Sequence, residues 1–154
     1  MASVPVISIE GFICPPEADV VFNQWYDEEY IPANMKFKGL TELTRSKLVR
    51  GTAGGTTSEY PRYLTTLRFG DIDAFKKWNA SSELAKASKN WAGVCARKGV
   101  RFVWRAQYET LKTWQNTSPS LVTTLVATVV PPAGDARFDS WYSDKHVPDL
   151  LKYK

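Results

Sequence analysis

Phe22-Asn23-Gln24-Trp25-Tyr26-Asp27-Glu28-Glu29-Tyr30-Ile31-Pro32 is written a second time as Phe138-Asp139-Ser140-Trp141-Tyr142-Ser143-Asp144-Lys145-His146-Val147-Pro148, at a constant offset and without a gap. The match extends upstream to Pro15-Pro16 against Pro131-Pro132 and Asp19 against Asp135. Downstream it reaches Lys36 and Lys38 against Lys152 and Lys154. Ile31/Val147, Met35/Leu151 and Phe37/Tyr153 are conservative pairs within it. A coincidence of two Trp-Tyr pairs and three prolines is better explained by duplication than by chance, and a repeat has to be recognised before any fold is assigned.

Working outward from the first copy, residues 4–13 read as a strand with Ile7, Ile9 and Ile13 on one face and Ser8, Glu10 and Phe12 on the other. Asp19 is expected to cap the aromatic helix. Pro32 should end or kink that helix at Ile31, since it lacks an amide proton and disfavours helical geometry before it. A short turn over 34–37 leads to Gly39. Residues 40–50 read as a second strand, Gly51 to Glu59 as a Gly/Thr/Ser-rich loop, and 62–69 as a third strand with Tyr63, Thr65, Leu67 and Phe69 on one face. Gly70-Asp71 opens a helix through about Trp91, with Phe75, Trp78, Leu84 and Trp91 on its apolar side. Residues 100–109 alternate as a fourth strand, placing Val100, Phe102, Trp104, Ala106 and Tyr108 against Arg101, Val103, Arg105, Gln107 and Glu109.

The order strand, helix, strand, strand, helix, strand makes a ferredoxin-like βαββαβ unit of α+β class over 1–114: an antiparallel sheet in order 4-1-3-2 with its helices on one face. Residues 115–154 read as a linker and a partial second repeat, with a strand at 121–130 and a helix at 136–152. The uncovered face of the sheet calls for a partner sheet, so a homodimer or pseudo-dimer through the sheet faces is expected, of dimeric α/β-barrel type.

Composition sets bounds. With 44% hydrophobic and 13% aromatic residues in 154, the chain can bury a core rich in rings. No apolar run approaches the length of a membrane helix, and Met1 to Ile13 lacks the pattern of a secretion signal. Two cysteines, Cys14 and Cys95, are too few for a disulfide framework, so a reduced, cytoplasmic protein is expected. The net charge of +4 comes from scattered Lys and Arg without a nucleic-acid motif, and reads as a solvated surface.

The strand, the Trp25-Tyr26-Asp27-Glu28-Glu29-Tyr30-Ile31-Pro32 helix, the following glycine and the second strand resemble the EthD-like branch of the dimeric α/β-barrel superfamily, and the repeat resembles its tandem fungal members. Relatives of that kind include decarboxylases and dehydratases acting on aromatic polyketides, cofactor-free monooxygenases, and proteins with no assigned reaction. The family usually carries His before the Ile-Pro step; the second copy keeps it as His146, whereas the first has Tyr30. The chain stops at Lys154, where the first copy turns into its second strand, which is read either as a fragment of a longer tandem protein or as an added arm.

The candidates for chemistry follow. His146 is the only histidine, able to give and take a proton near neutrality, with Tyr142 one turn back to orient it; it could equally be a helix-end residue bound to carbonyls. Tyr30 holds the same place in the complete repeat, as a ligand-binding phenol or a packed ring. Trp25 and Tyr26 read as core and cleft wall. Glu10, on the polar face of the first strand, would neighbour Arg68, Arg101 and Arg105 on a face turned toward another sheet. That is either an interface salt-bridge cluster or a floor for an anionic ligand. No metal site, phosphate loop or nucleophile elbow is visible, and no cofactor is implied. Two functions stand: a cofactor-free lyase-, dehydratase-, decarboxylase- or monooxygenase-type enzyme on an aromatic or polyketide-like compound, or a non-catalytic binding or assembly module.

Overall fold

A computed structural model describes residues 4–51, 60–113, 124–128 and 130–152. They fall into two units, Met1–Leu111 and Lys112–Lys154.

In the first unit β1 (Val6–Ile13), β2 (Leu40–Lys47), β3 (Tyr63–Phe69) and β4 (Arg101–Glu109) form one antiparallel sheet in the order β2-β3-β1-β4, the predicted ferredoxin-like arrangement. The helices are α1 (Asp19–Trp25), a π-helical turn (Tyr26–Tyr30), α2 (Ile31–Met35), α3 (Ile72–Asn79) and α4 (Ser82–Val94). The core lies between them and one face of the sheet, where Tyr63, Leu67 and Phe69 of β3 and Val6 and Phe12 of β1 pack against Phe22, Tyr26, Trp78 and Leu84. Phe22 alone meets Phe12, Trp25, Tyr26, Tyr63 and Trp91 with ring centroids 5.3–6.2 Å apart. That separation suits edge and offset contacts between quadrupolar rings. Arg45 reaches from β2 over the rings of Phe22, Tyr26 and Tyr63, and its Nη2 donates to Asn23 Oδ1 at 2.6 Å.

Several expectations are corrected here. Glu10 does not sit on the uncovered face. It stands opposite Thr65 and Arg105, so Val6, Ser8, Glu10 and Phe12 point under the helices while Ile7 and Ile9 take the other side. A central strand is apolar on both faces, so alternation could not say which face the helices cover. Arg68 pairs with Ile7 and therefore lies on the face away from Glu10, where it bridges to Glu42 at 3.3 Å. Arg101 stands opposite Ile13, beyond Glu10 on the strand. A register shift between Gly11 and Phe12 brings Phe102 opposite Phe12 on the helix side, although the plain alternation of β4 had placed it with Trp104 and Ala106.

Asp19 makes no cap hydrogen bond; its carboxylate accepts instead from Arg62 and from the Tyr63 hydroxyl, at 3.0 and 2.6 Å. The helix expected over 71–91 is two, because Ser81 breaks it and caps α4 by accepting from Leu84 N, as Asp71 caps α3 by accepting from Ala74 N. Pro32 does not end the aromatic helix. The chain widens into the π turn, with Ile31 N–H donating to Tyr26 O, and then continues as α2 with the proline in its first turn. The wider turn relieves the clash between the proline ring and the carbonyl four residues back. Gly99, at φ 77°, supplies the left-handed step into β4.

The loop expected over Gly51 to Glu59 lies almost wholly outside the described residues. The second unit repeats the helix: α5 (Asp135–Trp141), a π-helical turn (Tyr142–His146) and α6 (Val147–Leu150). The strand expected at 121–130 is partly outside the described residues, and 124–128 belong to no strand. A strand needs a neighbour for its amides and carbonyls, and the described residues of this unit form no other strand. No helix among the described residues is long and apolar enough to cross a membrane.

Candidate functional site

Glu10, a charged side chain buried beneath the helices, organises a polar cluster there. Cross-strand register puts Arg105 opposite it, and the Arg105 Nε donates to Glu10 Oε1 at 2.8 Å. The Tyr30 hydroxyl comes down from the end of the π turn and donates to Glu10 Oε2, also at 2.8 Å. Tyr30 is held from behind: Asn34 Nδ2 donates to the Tyr30 carbonyl at 2.7 Å, and the Asn34 Oδ1 accepts from the Trp78 indole at 2.7 Å. Arg105 is held by its Nη1 donating to Asn79 Oδ1 at 3.3 Å and by the ring faces of Trp78 and Phe102, 5.3 and 5.6 Å away.

The electrostatics are unequal across this trio. The Glu10 side chain is 1% exposed and that of Arg105 27%. Burial raises the Glu10 carboxyl above its ordinary value, against the opposing pull of the Arg105 charge and of the hydrogen bonds from Tyr30 and Arg105. Burial, reinforced by the neighbouring Glu10 charge, pushes the Tyr30 phenol well above its usual range. The geometry fixes the Tyr30 hydroxyl as a hydrogen-bond donor to the Glu10 carboxyl.

Glu10 and Arg105 floor a cavity of about 280 Å³. Its walls are rings: Phe12, Trp25, Trp91 and Phe102, with Tyr30 between floor and wall. Leu84 and the exposed Ser88 of α4 complete its rim. Trp25 lies tilted against Tyr30 and edge-on to Trp91, with ring centroids 5.2 and 5.4 Å away, and its indole N–H has no hydrogen-bond partner among the described residues. A small apolar chamber with one desolvated acid and one guanidinium is the usual form of a small-molecule site.

Of the residues singled out from the sequence, the fold brings Glu10, Tyr30, Trp25 and Arg105 together. Tyr26 is fully buried, its hydroxyl bonded to the Thr65 hydroxyl, and it does not line the cavity. Arg68 is on the opposite face of the sheet. His146 lies in the second unit, stacked on Trp141 at 4.7 Å with Tyr142 at 5.3 Å. Sequence reasoning missed the walls. Trp91 read only as a helix's apolar side, and Phe102 was assigned to the wrong face because a bulge leaves no periodic trace. Among the described residues no cluster of His, Cys, Asp or Glu could hold a metal ion.

No family model matches the chain, and no curated protein does. Solved structures do. A candidate antibiotic biosynthesis monooxygenase from Deinococcus radiodurans superposes with a TM-score of 0.56 at 15% identity, covering 73% of this chain and 99% of that one. The hydroxynitrile lyase of Passiflora edulis gives 0.54 at 11% identity, over 75% of this chain and 100% of that one. An ethyl tert-butyl ether D (EthD) family protein from Bacillus halodurans gives 0.50 at 16%, over 70% and 98%. The chain has a ferredoxin-like α+β fold, which it shares with these structures. At these identities the likeness is one of fold. It agrees with the resemblance carried by the Trp25 to Pro32 motif and transfers no reaction.

Proposed function

We propose that the chain is a small-molecule enzyme whose cavity under α1 and α4 holds a compact aromatic or polyketide-like compound, and that Glu10 moves a proton to or from it. The observation that carries this reading is a carboxylate 1% exposed at the floor of a ring-lined chamber. A desolvated acid with a charge partner in a cleft is a functional-site candidate, and a general acid–base benefits from a raised proton affinity. Tyr30 and Arg105 orient the carboxylate, one on each oxygen. A lyase-, dehydratase- or decarboxylase-like step fits such a site, because each turns on proton transfer at an organic substrate. The fold's solved representatives include proteins named as a monooxygenase and a lyase, which is compatible with small-molecule chemistry on this scaffold.

The test has two stages. An aromatic compound that quenches tryptophan fluorescence in the wild-type protein should lose affinity in Ser88→Trp, which plugs the rim without disturbing the core. Equal affinity in that variant would remove the cavity as the site. For a compound turned over by the protein, Glu10→Gln should lower kcat by about 10²- to 10⁴-fold, and unchanged turnover would end the acid–base role.

One observation favours a second reading, binding without catalysis. Each Glu10 oxygen already has a donor, as a purely structural ion pair would. Binding that is lost in Ser88→Trp, together with no turnover of any bound compound, is its signature. Under either reading we propose that the sheet face bearing Ile7, Leu64, Trp104 and Tyr108, which no helix of the first unit covers, pairs with the same face of a second copy.

A further inference from the structure

The contacts around Glu10 run in a closed loop. Glu10, on β1, accepts from Tyr30 at the end of the π turn and from Arg105 on β4. Behind Tyr30, the Asn34 amide of α2 donates to the Tyr30 carbonyl and accepts from the indole N–H of Trp78 on α3. Trp78 presents its ring to the Arg105 guanidinium at 5.3 Å, and the next residue, Asn79, accepts from Arg105 Nη1. Asn34 is thus the link between the helix that aims Tyr30 and the helix end that seats Arg105. It is 2% exposed and Trp78 is 1% exposed. The orientation of its amide is set, because a carbonyl only accepts and an indole N–H only donates.

A buried Asn that joins two elements can serve the fold alone, and the repeat within this chain supplies the control. The second copy keeps Phe138, Trp141, Tyr142 and Pro148 where the first has Phe22, Trp25, Tyr26 and Pro32. It also keeps the π turn. At the positions of Tyr30 and Asn34 it holds His146 and Leu150. The π turn forms without the Asn, so the shape of the helix does not account for it. Resting on the reading of Glu10 as the working group of the cavity, we infer that Asn34 is a positioning residue of this site: through Tyr30 on one side and Trp78 on the other, it holds both donors on the Glu10 oxygens at once. It does not line the cavity and acts only through these neighbours. Loosening either donor has a measurable consequence, because each favours the charged form of a desolvated carboxyl. The titratable groups facing Glu10 are Arg105, Tyr30 and Tyr26. Thr65 on β3, Trp78 and Asn79 on α3, and Leu84, Ser88 and Trp91 on α4 do not titrate.

The test follows the Glu10 carboxyl by infrared titration, its band identified by its loss in Glu10→Gln. Asn34→Leu, which copies the second repeat at this place, should raise the titration midpoint by about one pH unit. Trp78→Phe, which keeps a ring under Arg105 and removes the indole N–H, should move it the same way. Tyr30→Phe should raise the midpoint in the wild type and add little in the Asn34→Leu background, where its donor is already released. Ser81→Ala, which removes the cap of α4 and touches none of these residues, should leave the midpoint in place. A midpoint unmoved in Asn34→Leu, or a Tyr30→Phe effect of full size after it, would overturn the inference and leave Asn34 a packing residue. Where Asn34→Leu does not fold, Trp78→Phe alone and combined with Tyr30→Phe decides the same question by the same two readings. For a compound that the protein turns over, Asn34→Leu should lower kcat by about 10- to 100-fold with little change in KM. The titration needs no ligand. Unchanged turnover in Glu10→Gln therefore ends the acid–base reading whatever the midpoints show, while unmoved midpoints end the role of Asn34 and leave that reading standing.

Discussion

Glu10 shows how far one residue's meaning depends on its surroundings. A lone acid in a strand of Ile and Phe is legible as unusual, and its neighbourhood with Arg105 follows from strand order alone. Its burial does not follow, and burial controls its chemistry. Because the folded carboxyl has a raised proton affinity, the native state holds its proton more tightly than the unfolded chain. The stability this contributes is complete below the ordinary value of 4.5 and is lost as pH rises through the raised folded value. Denaturation of wild type and Glu10→Gln at a series of pH values should therefore show the wild type losing stability relative to the variant from acid toward neutral pH. A difference that is flat or reversed would mean that Arg105 and Tyr30 outweigh burial. Tyr30→Phe removes one of the two donors that the described residues give the buried Glu10 carboxyl, and should cost about 1.5–3 kcal/mol in urea denaturation at neutral pH. A cost near zero would show that water takes the place of the hydroxyl.

Two elements carry the geometry of the site. The π turn decides where Tyr30 lands, and it precedes an Ile-Pro or Val-Pro step in both copies of the motif. Pro32→Ala restores an amide and removes the ring, so the turn should tighten toward α-helix and draw Tyr30 away from Glu10. The coupling between Tyr30→Phe and Glu10→Gln in a double-mutant cycle should then shrink from about 1–3 kcal/mol toward zero. An undiminished coupling would show that packing of Trp25 and Tyr26, and not the proline, holds the turn open. The bulge in β1–β4 is the second element. A Cβ on Gly11 would stand 2.7 Å from Pro61 Cγ and 3.0 Å from Trp104 Cε2. The buried Pro61 ring is tied to the backbone and cannot retreat by itself, so Gly11→Ala should destabilise by about 1–3 kcal/mol. The neighbouring Phe102 wall should shift with it, weakening ligand binding beyond the stability loss.

At the scale of the molecule, the uncovered sheet face predicts association. Tyr108, 53% exposed on that face, is the side chain to change. Tyr108→Glu should move the protein from dimer to monomer in sedimentation velocity while leaving its circular dichroism unchanged; a wild-type monomer at working concentration would remove the proposed interface. The sequence by itself determined the βαββαβ order, the strand order and the recurrence of the aromatic helix, because periodicity, turn residues and a repeated motif are local signals. It even set the backbone of that helix, since Trp25–Pro32 and Trp141–Pro148 both pass through a π turn. Only tertiary structure decided what the helix means. Trp25 is 3% exposed over a sheet, and Trp141, with the same neighbours in sequence, is 46% exposed in a unit with no strand among its described residues. Which face of β1 the helices cover, and so whether Glu10 meets water or a ring-lined chamber, was also settled there. Hydrogen-bond patterns along a helix arise from residues a few places apart, whereas burial and proton affinity arise from whatever the rest of the chain places on top.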